Sequence, residues 1–179
     1  MSDDKLLAHL VSRYGVSSVY NRNTVSYGKQ HLFDKSRETC WNSEQGTPQH
    51  IQVEFKVPVK LTAIQIQFQG GFAGKTTNLF DMSQPSKPIC PLHPKDDNKV
   101  QVLALPKPLQ DIARTRIKIQ FLSSTDFFGR IIVYSLDFVG HTGTSQEDGD
   151  EASQEDSAEA SKEDSDSSLP TPTATTTQQ

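Results

Sequence analysis

The residues of this chain best suited to acid-base, nucleophilic or metal chemistry are its five histidines and two cysteines. They are scattered along the sequence, at His9, His31, His50, His93, His141, Cys40 and Cys90. None forms a CxxC or HExxH spacing, no glycine-rich phosphate loop occurs, and no Ser or Cys lies in a nucleophile-elbow context. The adjacent acids Asp96 and Asp97 are typical of a turn. The sequence therefore predicts a protein that is not an enzyme and has no cofactor and no metal.

Calcium binding is the one metal chemistry for which the chain offers a candidate, because Asp34 and Thr39 could both supply oxygen ligands. Calcium takes about 6 to 8 oxygens. Lys35 and Arg37 place positive charge where further acids would be needed. We therefore favour a structural turn in which Asp34 accepts hydrogen bonds from backbone N–H groups, and calcium binding stays open as the alternative.

The single tryptophan, Trp41, lies in a polar segment ahead of the first clearly alternating strand. An indole on the surface would expose a large apolar area, so the ring is expected to cover one end of the core while Nε1–H finds an acceptor. Cys40 beside it is also a residue type that is usually buried. The sequence favours this structural role over an exposed aromatic platform for a sugar.

Two loops are the candidate binding elements. In the segment 125–130 two adjacent Phe side chains cannot both point inward along an extended backbone. Either one Phe enters the core while Gly129 supplies a positive φ, or the other Phe and Arg130 protrude, and aromatic residues with Arg are typical of interface hot spots. Both interpretations stay open. The candidate protein-binding residues are Gly70, Gly71, Phe72, Asp126, Phe127, Phe128 and Arg130.

The elements that must position these loops are predicted from hydrophobic periodicity. Apolar residues at helical spacing before Gly15 predict a short N-terminal helix. Apolar and polar residues then alternate in short segments separated by turn signals, which predicts antiparallel strands. The stretch 70–98, rich in Gly and Pro, is expected to be a long irregular loop with one short strand near 89–92. The expected strands cover residues 16–21, 51–55, 62–68, 100–105, 115–121 and 132–138.

This pattern predicts an all-β fold, an antiparallel β-sandwich or jelly roll, and argues against a parallel α/β fold. Three segments are expected: an N-terminal helical lead over residues 1–15, the sandwich domain over 16–141 and a tail over 142–179. Residues 1–141 contain 17 Lys and Arg against 12 Asp and Glu, whereas the tail contains 1 against 10. The body is therefore mildly basic and the tail strongly acidic.

The acidic tail is expected to be disordered, because it has almost no large apolar side chains to bury. A Ser-x-Glu-Asp pattern returns in it every eight residues, from 145, 153 and 161. Ser or Thr three residues before an acid is typical of acidic-directed kinase sites, and each phosphate would add roughly −1.5 to −2 charges. The possible phosphosites are Thr144, Ser145, Ser153 and Ser161.

Several features indicate where the protein works. Two cysteines away from the domain ends favour a reducing compartment. The N-terminus lacks a signal-peptide pattern, and no apolar run reaches the roughly 18 residues of a membrane span. The prediction is a protein of the nucleus and cytoplasm with no membrane contact and no direct nucleic-acid binding; the sequence does not give its oligomeric state.

The motifs NRNT at 21–24, ETCWNS at 38–43, QFQGGF at 67–72 and STDFFGR at 124–130 resemble, in order and spacing, those of the nuclear receptor 2C2-associated protein family. The Asp followed by Thr-x-Trp is also similar to discoidin and coagulation-factor type C domains. The resemblance implies a galactose-binding-like fold and an intracellular partner of an orphan nuclear receptor that represses transactivation by hindering the receptor's DNA binding. The alternatives are a lectin-like or calcium-binding module and an adaptor subunit of a larger assembly.

Overall fold

The structure, a computed structural model, describes residues 4–142, and all strand pairs among them are antiparallel. The strands are β1 (Lys5–Leu6), β2 (Val11–Val16), β3 (Trp41–Asn42), β4 (Gln49–Phe68), β5 (Gly74–Asp81), β6 (Cys90–Leu92), β7 (Val100–Ala104), β8 (Ala113–Ser124) and β9 (Ile132–Thr142). The short helices are α1 (Thr24–Tyr27), α2 (Lys107–Gln110) and 3-10 turns at Ala8–Leu10, Tyr20–Arg22 and Lys29–Leu32. The predicted all-β antiparallel fold is confirmed.

The 20-residue strand β4 belongs to both layers of the sandwich. Its first half lies between β2 and β8, and β5 and β6 continue that layer. Its second half lies between β7 and β9, and β1 and β3 pair with β9. Within residues 54–63 the pairing register of β4 shifts against both β8 and β9, as expected where a strand bends from one sheet into another.

The core lies between the layers and is built from alternating residues of β4, β8 and β9. Its largest fully buried side chains include Trp41, Phe68, Phe121 and Phe138. The Phe68 and Phe121 rings meet edge to face with centroids 5.9 Å apart, a favoured aromatic geometry. The alternation predicted over 51–55, 62–68 and 115–121 thus faces the core, with a one-residue shift at the start of the second segment, where Leu61 is buried.

The N-terminal helix predicted over residues 1–15 is wrong in the described part. The chain forms β1, a 3-10 turn at Ala8–Leu10 and then β2, so these residues belong to the sandwich and are not a helical lead. The main-chain N–H of Leu7 donates to Phe138 O at 2.8 Å, and that of Ala8 to Asp137 Oδ1 at 2.9 Å. Pairing with β9, distant in sequence, satisfies the backbone groups that a helix would have satisfied internally.

Two further expectations are corrected. The strand predicted over 16–21 is wrong beyond Val16, where β2 ends. A 3-10 turn at Tyr20–Arg22, with positive φ angles at Asn21 and Arg22, lies in place of its second half. The stretch 70–98 is less irregular than expected, because β5 runs through it and pairs with β8. The short strand near 89–92 is present as β6 and that near 100–105 as β7.

Candidate functional site

The loops 69–73 and 125–131 lie side by side at one end of the sandwich, and we call the surface that they form the loop face. Thr125 N donates to Ala73 O at 2.9 Å, Ala73 N donates to Thr125 Oγ1 at 3.0 Å, and Ile132 N donates to Phe72 O at 3.2 Å. These bonds continue the strand pairing beyond the ends of β5 and β8. The two predicted binding segments, more than 50 residues apart, are therefore brought together.

Arg130 lies at the centre of the loop face. Its Nε is 3.1 Å and its Nη2 3.3 Å from the two carboxylate oxygens of Asp126. Its Cζ lies 4.9 Å from the ring centroid of Phe72 and 5.9 Å from that of Phe128. The guanidinium is thus held by an ion pair with Asp126 and lies over two aromatic rings, contacts in which Arg is favoured over Lys. The hydrogen bond that the guanidinium donates to Asp126 raises the pKa of Arg130.

Asp126 closes the loop. Partial burial would raise the pKa of its carboxyl, but hydrogen bonds from the Arg130 side chain and backbone outweigh burial and lower that pKa. Its own N–H donates to Ser124 Oγ at 3.0 Å, and that hydroxyl donates to Arg130 O at 2.6 Å. The turn is therefore fixed by side-chain hydrogen bonds before any partner arrives.

Neither phenylalanine of the loop enters the core, so the interpretation that places one of them there is wrong. Phe127 is 94% and Phe128 54% exposed, and their rings meet edge to face at 5.3 Å. Gly129 adopts φ +79°, as predicted, and a Cβ on it would lie 3.1 Å from the backbone of Gly46. Gly46 N donates to Phe128 O at 2.7 Å, so the neighbouring backbone fills the space below the turn and both rings point outward.

The glycines of the other loop are tied to a third loop, which sequence reasoning did not include. Gly70 N donates to Asn98 Oδ1 at 2.8 Å, and Gly71 N donates to Asp96 Oδ1 at 2.7 Å. Asp97 accepts from Lys99 N at 3.1 Å, which closes the turn expected for this acidic pair. The turn at 94–98 can be recognised in the sequence from its residue types. The sequence does not indicate that this turn accepts hydrogen bonds from Gly70 and Gly71.

Asp34 occupies a closed turn. Oδ1 accepts from Ser36 N at 2.9 Å, whereas Oδ2 accepts from Thr39 Oγ1 at 2.7 Å and lies 2.8 Å from His31 Nδ1. Both carboxylate oxygens are thus engaged within the turn, as the structural interpretation requires. His31 is a partner that sequence reasoning missed. Within residues 4–142 no group of three or more His, Cys, Asp or Glu side chains could hold a metal ion.

Trp41 is fully buried at the end of the core. Its ring centroid lies 6.4 Å from that of Phe121, and its Nε1–H donates to Ser18 O at 2.9 Å. The indole therefore presents no face to a ligand. Cys40 beside it is half-buried, and burial raises the pKa of its thiol.

Two remaining expectations concern the tail and the membrane. The possible phosphosites Thr144, Ser145, Ser153 and Ser161 fall outside the described residues, as does most of the predicted acidic tail. In the described part, no helix is both long and apolar enough to cross a membrane.

The structure resembles solved carbohydrate-binding and discoidin-type domains. A family 32 CBM of C. perfringens NanJ in complex with galactose has a TM-score of 0.61 at 14% identity and covers 76% of this chain and 98% of its own. The F5/8 type C domain of a Bacteroides fragilis protein has a TM-score of 0.61 at 15% identity and covers 78% and 98%. At such identities the likeness establishes the galactose-binding-like jelly-roll fold alone.

Sequence relatives carry the family assignment, although no family model matches the chain. The human nuclear receptor 2C2-associated protein is 41% identical over 142 residues, 78% of this chain and 98% of its own length. That of Danio rerio is 45% identical over 128 residues, 70% of this chain and 88% of its own length. The chain belongs to the nuclear receptor 2C2-associated protein family.

Proposed function

We propose that this chain is a non-catalytic binding module that associates with a nuclear receptor through its loop face. The relatives' name supplies the class of partner. The observation that carries the choice of surface is the outward position of Phe127, 94% exposed at the tip of a turn fixed by hydrogen bonds. An apolar ring in this position remains in water until a partner covers it.

The composition and rigidity of the loop face support a role in recognition. Aromatic residues and Arg are enriched among the residues that dominate binding energy at interfaces. Here Phe128 contacts both the exposed ring of Phe127 and the guanidinium of Arg130, which is already held by Asp126. Because these side chains are positioned in advance, a partner would pay less conformational entropy when it binds.

The proposed consequence for the receptor is repression. A module of this size bound next to the receptor's DNA-contacting surface would hinder DNA binding by occupying space, and it needs no catalytic group and no nucleic-acid contact of its own. We accordingly propose that the protein acts in the nucleus as well as in the cytoplasm.

The test is binding to purified nuclear receptor 2C2, measured by biolayer interferometry with the full chain. Phe127→Ala should weaken binding at least tenfold, about 1.4 kcal/mol. Val102→Ala is the matched control, since Val102 is 61% exposed on β7 and lies outside the loop face. The control should change the affinity less than about twofold.

A second measurement addresses repression. The wild-type chain should reduce the amount of receptor bound to a labelled DNA site, and Phe127→Ala should lose this effect in proportion to its loss of receptor affinity. If Phe127→Ala and Val102→Ala bind the receptor as tightly as wild type, the loop face is not the receptor site. If the chain binds the receptor and leaves its DNA binding unchanged, repression by hindrance is wrong.

A further inference from the structure

A second candidate site lies on the outer surface of the layer formed by β2, β4 and β8, and none of its lining residues belongs to the loop face. It is an open cleft of about 480 Å³. Arg13, Lys29 and Arg116 supply three positive charges to its lining and Glu54 one negative charge. We call it the basic cleft.

The strand register builds this charge pattern. Arg13 on β2 is paired with Glu54 on β4, and Glu54 is paired with Arg116 on β8, so the three side chains form one row across the sheet. In the next row Gly15 is paired with Gln52. Because Gly15 has no side chain and nothing lies within 4 Å of where its Cβ would be, the sheet surface is open beside the charged row.

The positively charged side chains of the basic cleft remain available to a ligand. Within the part of the chain that the structure describes, the side chains of Arg13 and Arg116 make no hydrogen bond and no ion pair, and Arg116 is exposed. Lys29 Nζ donates to Tyr14 O at 2.9 Å and lies 5.3 Å from the Tyr14 ring centroid. This fixes the ammonium group at the edge of the cleft with two further N–H donors available.

We infer that the basic cleft binds an acidic peptide segment of a partner protein, with Arg13 and Arg116 each taking a carboxylate. Two strand spacings separate the backbones of these arginines, about 10 Å, which is close to the rise of one three-residue turn of a peptide in the polyproline II conformation. With Glu at every third position, such a peptide points its carboxylates the same way, one to each guanidinium group, and leaves neutral residues between them beside Glu54. A nucleic-acid strand carries a phosphate at every nucleotide and would bring charge onto Glu54.

The test uses the full chain and a fluorescein-labelled peptide of repeated Glu-Pro-Pro, which carries a carboxylate at every third residue, followed by fluorescence anisotropy at low and physiological salt. Arg13→Glu combined with Arg116→Glu should weaken binding about tenfold or more. The matched control is Lys75→Glu combined with Lys107→Glu, which changes the net charge equally at two exposed positions outside the cleft. The control should weaken binding less than about threefold.

Glu54→Gln supplies a measurement of opposite sign, because removal of the single negative charge in the row should tighten binding of the Glu-Pro-Pro peptide. A loss of folding cannot mimic that result, and circular dichroism checks that every variant remains folded. Equal losses from the two double variants would show attraction by net charge alone and overturn the assignment. So would tighter binding of a single-stranded oligonucleotide than of the Glu-Pro-Pro peptide, or no binding of that peptide at all. The receptor measurements with Phe127→Ala are independent of all these outcomes.

Discussion

The imidazole Nδ1 of His31 lies 2.8 Å from Oδ2 of Asp34. On the other side of the ring, Nε2 lies 2.9 Å from Val25 O. Carboxylate and carbonyl oxygens are both acceptors, so both ring nitrogens are best satisfied when each carries a proton. The hydrogen bond to Asp34 is the main cause that raises the pKa of His31 above its ordinary 6.5. When it is protonated, the imidazolium ties the segment around α1 to the turn of Asp34.

The first prediction concerns pH. Because the pKa of His31 is raised in the folded protein, its contribution to stability is complete below pH 6.5 and is lost as the pH rises through the folded-state pKa. The difference in unfolding free energy between wild type and His31→Gln should therefore shrink from pH 6 towards pH 8, as measured by urea denaturation. The same substitution in an Asp34→Asn background is the control, because without the facing carboxylate the difference should vary less with pH. A His31→Gln difference that stays constant over this range would contradict the charged pair.

The carboxyl group of Asp34 determines the pH below which the same pair stops contributing to stability. Burial would raise the pKa of its carboxyl, but hydrogen bonds from Thr39, Ser36 and His31 outweigh burial and lower it. Its contribution is present above the ordinary 3.8 and is lost as the pH falls through the lowered value. Asp34→Asn should therefore cost stability at pH 6 and little in strong acid.

Trp41→Ala should lower the unfolding free energy by about 3 to 5 kcal/mol, since it empties a large aromatic site. It also removes the donor to Ser18 O. Val25→Ala is the control: Val25 is 82% exposed, and its truncation should cost less than about 0.5 kcal/mol. A loss below about 1 kcal/mol for Trp41→Ala in chemical denaturation would falsify its structural role.

Arg130→Glu should destabilise the domain by about 1 to 3 kcal/mol, because it replaces an ion pair with two facing carboxylates. Asp126 is largely buried and cannot turn away to water at no cost. Adding Asp126→Asn to Arg130→Glu should restore part of the loss, and this recovery in melting experiments checks that repulsion is the cause. Lys75→Glu, an exposed charge reversal, controls for net charge. If the double variant is no more stable than Arg130→Glu, the two side chains are not coupled.

Gly129→Ala should cost about 1 to 2 kcal/mol, because an L-residue is strained at its φ of +79°. The added methyl would also meet the backbone of Gly46 at 3.1 Å. Gly15→Ala is the informative comparison, since its Cβ would meet nothing within 4 Å and the change should be neutral or stabilising. Equal losses in thermal melts would mean that backbone conformation at 129 is unimportant.

The sequence predicts the parts of the fold in which neighbouring residues alternate. The β4 and β8 segments and the buried Trp41 are visible in this way because one face of each strand must be apolar. β1 was not predicted, because Gly140, the pairing partner of Lys5, is distant in the chain. In addition, a short apolar segment fits a helix and a strand equally well. The binding residues were proposed from composition, but the stacking of Arg130 on Phe72 depends on two loops that meet only in the folded domain.

β4 crosses from one layer to the other and supplies a central pairing partner to each. Unfolding of one layer would disrupt β4 and thereby the strand pairing of the other layer. Unfolding of a single layer would therefore lose many contacts and gain little chain entropy. The domain should behave as one cooperative unit. Amide protons in both halves of β4 should exchange with solvent at the same slow rate, set by global unfolding, whereas those of the edge strands β6 and β7 should exchange through smaller local openings.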